Sequence, residues 1–148
     1  MEVKNMFDTA VKQDIIDRIN KLTPHTQRLW GKMNVEQMLA HVQLPISCAY
    51  GTHQVKGSFI LKLLGPFFKS VLYNEKPYKQ GLPTDSSYVV VDKKEFEAEK
   101  KGLLEKVNKF SAETVVLENH PVWGKLTKEQ WSKATWKHLD HHLKQFGV

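Results

Sequence analysis

The sequence has a single cysteine, Cys48, among 148 residues, so no disulfide can form within the chain. This is typical of proteins from a reducing compartment. The N-terminus carries no apolar signal region, and the longest apolar stretch, residues 58–73, is interrupted by lysine, glycine and proline. Such a stretch is too short and too broken to span a bilayer. We therefore expect a cytoplasmic protein that has no membrane as a partner.

The sequence also lacks the motifs that are typical of covalent catalysis or of nucleic-acid binding. We find no nucleophilic serine or cysteine motif and no pair of carboxylates on one inward helix face. A formal net charge of +6 is compatible with a polyanionic partner, but the basic residues are spread along the chain. The densest run, residues 92–109, interleaves glutamates with its lysines, as solvated helix faces do. We therefore expect no nucleic-acid partner.

Apolar residues recur at helical spacing in four segments, which predicts four long amphipathic helices in a single domain, residues 1–148. In chain order these segments are residues 8–22, a stretch after Asn34 that reaches Ala49, a stretch after Asp92, and a stretch after Thr127 that runs close to the C-terminus. The third and fourth starts carry pairs that resemble capping boxes, Asp92 with Glu95 and Thr127 with Gln130.

A long connection joins the second predicted helix to the third. Its first part, residues 59–73, predicts a shorter helix or two, interrupted at Gly65 and Pro66, and its second part predicts a loop. Residues 89–91 favour a strand that has no clear partner. Four long helices with one long crossover between helices two and three predict an all-α fold, a four-helix bundle.

Helical wheels divide the second and fourth helices into an inward and an outward face. The inward faces hold Met38, His41, Val42, Pro45 and Cys48 of the second helix, and Trp131, Thr135, His138, Leu139, His142 and Phe146 of the fourth. The outward faces hold Glu36, Gln43 and Ser47, and Glu129, Lys133, Lys137, Asp140 and Lys144. Three histidines therefore lie on inward faces.

The depths of these three histidines along their helices agree. His41 lies seven residues after Asn34, and the midpoint of His138 and His142 lies about six residues before Phe146. If the two helices are antiparallel, the depths match to within about 3 Å at a rise of 1.5 Å per residue. Three imidazoles would then converge, and a divalent metal would offset the cost of burying them. A hydrogen-bonded core histidine remains the alternative for each residue, since a His-x-x-x-His spacing alone is a weak signal.

Four further side chains are weaker candidates. Gln37 lies one turn before His41 and can hydrogen-bond a metal-bound water, although a capping role for the second helix explains it as well. His120 precedes a proline and can line a pocket mouth, but we favour a surface loop residue. His141 falls at the edge of the inward face, and Cys48 lies about 10 Å along the axis from His41, which suits a small core residue.

Three segments resemble one known family. Residues 138–145 (HLDHHLKQ) resemble the closing His-x-x-x-His-x-x-Gln element of the DinB-like superfamily, and residues 38–41 (MLAH) resemble its helix-two histidine element. Residues 120–126 (HPVWGKL) and the C-terminal segment look like one branch of it, the DUF1569 family. The superfamily's usual Arg-Gly before the final Gln is replaced by Leu143 and Lys144, so no role of that Arg carries over.

The resemblance implies an up-down-down-up four-helix bundle whose metal ligands are His41, His138 and His142. It also implies a homodimer, and a small-molecule thiol as a substrate, because some DinB-like proteins transfer such thiols. A nitrogen-only ligand set favours zinc, with nickel or iron as alternatives. The functional hypothesis is a metal-dependent thiol transferase or hydrolase. The alternative is a non-enzymatic bundle that binds a metal or a small ligand.

Overall fold

The structure, a computed structural model, describes residues 1–148 and is mostly helical. Its five α-helices are α1 (Thr9–Lys21), α2 (Val35–Ala49), α3 (Phe59–Phe68), α4 (Phe96–Lys109) and α5 (Lys128–Gln145). Two 3-10 turns (Lys69–Leu72 and Ser86–Tyr88) and a two-stranded antiparallel sheet, β1 (Asn119–His120) with β2 (Gly124–Lys125), complete it. The all-α expectation therefore fits broadly, with a small hairpin that the sequence did not predict.

The four long helices share one hydrophobic core. Helix α2 packs against α4 and α5, and α1 packs against the same two helices. The apolar stripes meet between them and are fully buried at Ile15, Ile19, Met38, Leu39, Leu103, Val107, Leu139 and Leu143. Contact between α2 and α5 positions the candidate site, because it places the inward faces of the two histidine-bearing helices against each other.

Capping boxes begin two of these helices. Asn34 and Gln37 form one at the start of α2, and Thr127 and Gln130 form another at the start of α5. The predicted box at the third long helix is wrong, because α4 begins at Phe96 and its N-cap residue makes no side-chain hydrogen bond. Asp92 therefore lies too far before the helix to cap it.

The predicted interruption at Gly65 and Pro66 is also wrong, since α3 continues through both to Phe68. Gly65 has a packing role: a Cβ there would lie 2.2 Å from the carbonyl oxygen of Val122. Residues 89–91 form no strand, and the only strands lie at 119–125. No helix of the structure has both the length and the apolar character needed to cross a membrane.

Three polar residues predicted to face outward are buried: Gln43, Lys137 and Asp140. Helix α4 covers Gln43. The segment after α3 covers Lys137, whose Nζ donates to the carbonyl oxygen of Asn74 at 2.9 Å. Helix α1 covers Asp140, which pairs with Arg18 at 3.0 Å. Each of these groups is satisfied by a partner that is remote in sequence, and a helical wheel contains no information about such partners.

Candidate metal centre

Three imidazoles from two helices converge where α2 packs on α5. The i, i+4 spacing of His138 and His142 places both on one face of α5, and His41 reaches them from α2. One ring nitrogen from each lies within 4.8 Å of the other two, and Nε2 of His41 lies 3.1 Å from Nε2 of His138. The structure thus brings together the three side chains that the wheels and depths selected, and the cluster can hold a metal ion.

The spacing of the nitrogens suits a small divalent cation. In a tetrahedral zinc site with Zn–N bonds of about 2.0–2.1 Å, two ligand nitrogens lie about 3.3 Å apart. The 3.1 Å separation between His41 and His138 is close to that value. The ring of His142 meets the other two edge-on, with centroids 4.7 Å from each.

Hydrogen bonds at the far side of two rings fix the tautomers. Nδ1 of His41 lies 2.8 Å from the carbonyl oxygen of Tyr88, and Nδ1 of His142 lies 2.8 Å from Oε1 of Gln145. Both oxygens only accept, so both Nδ1 atoms carry the proton. The Nε2 lone pairs of His41 and His142 are therefore left for the centre of the cluster. Metal-binding histidines are held in the same way.

The orientation of the Gln145 amide is itself set by a second contact. Its Nε2 donates to the carbonyl oxygen of Trp30 at 2.8 Å, which leaves Oε1 for His142. Gly31 makes room for this contact: it has φ +83°, and a Cβ there would lie 2.4 Å from Gln145 Nε2. The turn before α2 therefore requires glycine and helps to hold a side chain of α5 beside the cluster.

Burial keeps the three imidazoles neutral. His41 is 5% exposed and His142 9% exposed, whereas His138 is only half-buried. Burial, reinforced by the neighbouring His41, lowers the pKa of His142 to about 3. Burial also lowers the pKa of His41 and, together with the other two rings, that of His138. Neutral imidazole is the form that ligates a metal, so the cluster is in the binding state at neutral pH.

Tyr88 is a residue of the candidate site that sequence reasoning missed. Its main-chain carbonyl accepts from His41, and its hydroxyl lies 3.3 Å from Nε2 of His120. The prediction that His120 is a surface loop residue is wrong, because it is 5% exposed. Nδ1 of His120 accepts from the N–H groups of Val122 and Trp123, at 3.0 and 3.2 Å. His120 therefore helps to position Tyr88 and with it the ring of His41.

The remaining candidates lie outside the cluster. His141 contacts the rings of Trp30 and Tyr78 and lines a cavity of about 150 Å³ with them. Gln37 is the capping residue of α2 and also donates to the carbonyl oxygen of Val91 at 3.3 Å, which leaves its amide occupied away from the cluster. Cys48 is fully buried in the core, as expected of a small core residue.

No curated protein and no solved structure matches this chain. A family match does exist, and it spans residues 3–147. It includes the turn at Trp30 and Gly31, the hairpin that holds His120, and all three clustered histidines. Because the match covers nearly the whole sequence, this chain belongs to the DUF1569 family, which is described as a protein of unknown function.

Proposed function

We propose that this protein binds one divalent metal ion through the Nε2 atoms of His41, His138 and His142, with a coordination position left open. The observation that carries the proposal is the pair of tautomer-fixing hydrogen bonds, from His41 to Tyr88 and from His142 to Gln145. These bonds leave the Nε2 lone pairs of His41 and His142 available for a cation at the centre of the cluster. Zinc is the metal we favour for three neutral nitrogen ligands, with nickel or iron as alternatives.

We propose a metal-dependent transferase that takes a small thiol, or a hydrolase, as the activity. A zinc ion at this site would lower the pKa of a thiol or a water at its open position. That chemistry would explain why the chain offers no separate general base near the cluster. The chain itself contributes three neutral rings, of which His41 and His142 are held in fixed orientations by Tyr88 and Gln145.

The proposed architecture is the DinB-like bundle of up-down-down-up topology. The pairwise packing of α1 and α2 against α4 and α5 supports it, and so does the long crossover that contains α3. Each specified position of the His-x-x-x-His-x-x-Gln element would have a structural role in this architecture. Its two histidines enter the cluster, and its glutamine, Gln145, holds the ring of His142.

One observation favours a second candidate, a cluster that holds no metal. The 3.1 Å between His41 and His138 is a hydrogen-bond length, so His138 can donate its Nε2 proton to His41. The three rings would then be partly satisfied without an ion. This protein would be a non-enzymatic bundle in which the histidines only stabilise the fold.

Turnover and spectroscopy separate the two candidates. We would load the protein with zinc and assay a panel of cellular thiols against an electrophilic acceptor, with His138→Ala as the inactive variant and His141→Ala as the matched control. A thiolate ligand would also change the visible spectrum of the cobalt-substituted protein. A rate equal to the uncatalysed reaction for every thiol, together with an unchanged cobalt spectrum, would eliminate the transferase.

A further inference from the structure

Helix α3 packs against the rest of the protein through its smallest residues. Gly65, the only buried residue of the helix, lies against the main chain of Val122. Pro66 lies beside Gly124, and Nζ of Lys69 donates to the carbonyl oxygen of Lys125 at 2.8 Å. The face of α3 that touches the hairpin is therefore its small and polar face, the reverse of an ordinary surface helix.

The opposite face is strongly apolar and points into solvent. Its six large side chains are Phe59 (80% exposed), Ile60 (65%), Leu63 (60%), Leu64 (45%), Phe67 (81%) and Phe68 (63%). At 100° per residue these six occupy one half of the helix circumference. Together they expose on the order of 700 Å² of apolar surface, whereas the largest apolar patch on a typical monomer is about 300–600 Å². A patch of this size indicates a binding surface.

The segment around this patch is basic. Residues 56–79 contain five lysines, and Glu75 is the only acidic residue among them. None of the five lies within ion-pair distance of a carboxylate, since every ion pair of the structure involves other residues. The lysines are Lys56, Lys62, Lys69, Lys76 and Lys79. Lys69 is held by the carbonyl oxygen of Lys125, whereas the other four lysines are exposed and free to meet an anionic partner.

Two occupants could cover such a patch, a second copy of the protein or a lipid bilayer, and the charge of the segment distinguishes them. A second copy would meet α3 with its own α3, because a two-fold interface pairs a surface with itself. Lysines would then oppose lysines, with no carboxylate between residues 56 and 74 to pair with them. An anionic bilayer complements both features: acyl chains accept the apolar face, and headgroups accept the lysines.

We propose that α3 is an interfacial helix that binds the protein to the surface of an anionic lipid bilayer. The helix would lie in the plane of the membrane, with Phe59, Leu63 and Phe67 in the acyl region and the exposed Lys62 at the level of the headgroups. The expectation of no membrane partner rested on the lack of a spanning segment. A helix that lies on a membrane does not need that length.

Vesicle sedimentation of the full-length protein tests the proposal. We expect binding to vesicles of phosphatidylcholine with phosphatidylglycerol, weaker binding to phosphatidylcholine alone, and loss of binding as salt increases. Phe67→Glu removes the most exposed apolar side chain and should weaken binding about tenfold or more. The matched control is Leu29→Glu, which alters a 69% exposed residue outside α3 and should leave binding unchanged.

Three results would overturn the proposal. The first is an absence of wild-type binding to the anionic vesicles, and the second is an equal loss in Phe67→Glu and Leu29→Glu. The third is a lipid-free dimer in sedimentation velocity that Phe67→Glu converts to a monomer, with no vesicle binding, because a second copy would then cover α3. Circular dichroism of each variant establishes that the fold is retained.

Discussion

The three clustered histidines differ in what holds the second nitrogen of each ring. His41 is held by a main-chain carbonyl and His142 by a side-chain amide, whereas Nδ1 of His138 has no hydrogen-bond partner within the chain. His138 is also the most exposed of the three. Its orientation is therefore the one that depends most on what occupies the cluster.

His142 and the adjacent His141 give the sharpest comparison at the scale of a single residue. We expect His142→Ala to abolish metal binding, because Nε2 of His142 faces the cluster, and His141→Ala to retain most of it, because His141 packs against Trp30 and Tyr78. Metal content after dialysis measures both. Equal loss in the two variants would show that the assignment of the pair is wrong.

Gln145 is expected to affect metal binding through its hydrogen bond to His142. Gln145→Leu removes the acceptor that fixes the His142 tautomer, so the affinity for zinc should fall about 10-fold to 100-fold while the ligands remain. A competition titration with a chromophoric chelator measures this. The matched control is Gln13→Leu on α1, since that amide bonds only to Asp17. If Gln145→Leu binds zinc as tightly as the wild type, the hydrogen bond from His142 to Gln145 is not evidence for a metal site.

The position of the three histidines could be predicted from sequence, and Gln145 lies in the same sequence element as His142, but the groups that hold His41 could not be predicted. An inward face and an i, i+4 spacing are local properties, so His41, His138 and His142 stood out. Tyr88 supports His41 through a main-chain oxygen, which every residue type has. The burial of His120 depends on two N–H groups of a turn that has no distinctive sequence.

At the scale of an element, α5 shows which properties of a helix face a helical wheel predicts and which it does not. Its apolar face was correctly assigned, but its supposedly solvated face contains two buried charged residues, Lys137 and Asp140. Lys137 donates to Val71 and twice to Asn74, at 2.7–2.9 Å. The wheel gives the polarity of a face, while tertiary packing decides whether a polar face is covered.

Lys137 should therefore contribute to stability far more than a surface lysine. We expect Lys137→Met to lower the free energy of unfolding by about 2–4 kcal/mol, because three partly buried acceptors lose their donor. Urea denaturation measures it. Lys133→Met is the matched control on the same helix, since Lys133 makes only an exposed pair with Glu129 and should cost less than about 1 kcal/mol. Equal costs would contradict the burial of Lys137.

At the scale of the whole molecule, the buried neutral histidines make stability depend on pH. Burial lowers the pKa of His142 to about 3 and that of His120 to about 4, while a histidine in the unfolded chain titrates near 6.5. Below pH 6.5 the unfolded chain therefore binds protons that the folded chain does not. Stability is fully present above that pH and is lost as the pH falls.

We expect the metal-free protein to lose at least about 1.4 kcal/mol of unfolding free energy per pH unit between pH 6 and 5, which is the effect of one such histidine. Urea denaturation at pH 7.5, 6 and 5 measures the change, and His120→Asn should make the slope shallower. A free energy that stays constant down to pH 5 would mean that these rings are not buried and neutral.

The overall architecture was predictable where it rests on local periodicity. The long helices α1, α2, α4 and α5 appear close to their predicted segments. The outward apolar face of α3 was not predictable, because a hydrophobic run of residues 59–68 ordinarily indicates burial. The hairpin of β1 and β2 was missed because each strand has only two residues. Both features depend on contacts between segments that are distant along the chain.

The central claim is that His41, His138 and His142 bind one metal ion, and a crystal structure with an anomalous difference map tests it most directly. The protein should be purified, analysed for metal content, and crystallised after exposure to zinc. We expect one ion per chain, bonded to the Nε2 atoms of the three histidines at about 2.0–2.1 Å. A zinc-treated protein with no ion at the cluster, and with His138 hydrogen-bonded directly to His41, would contradict the claim.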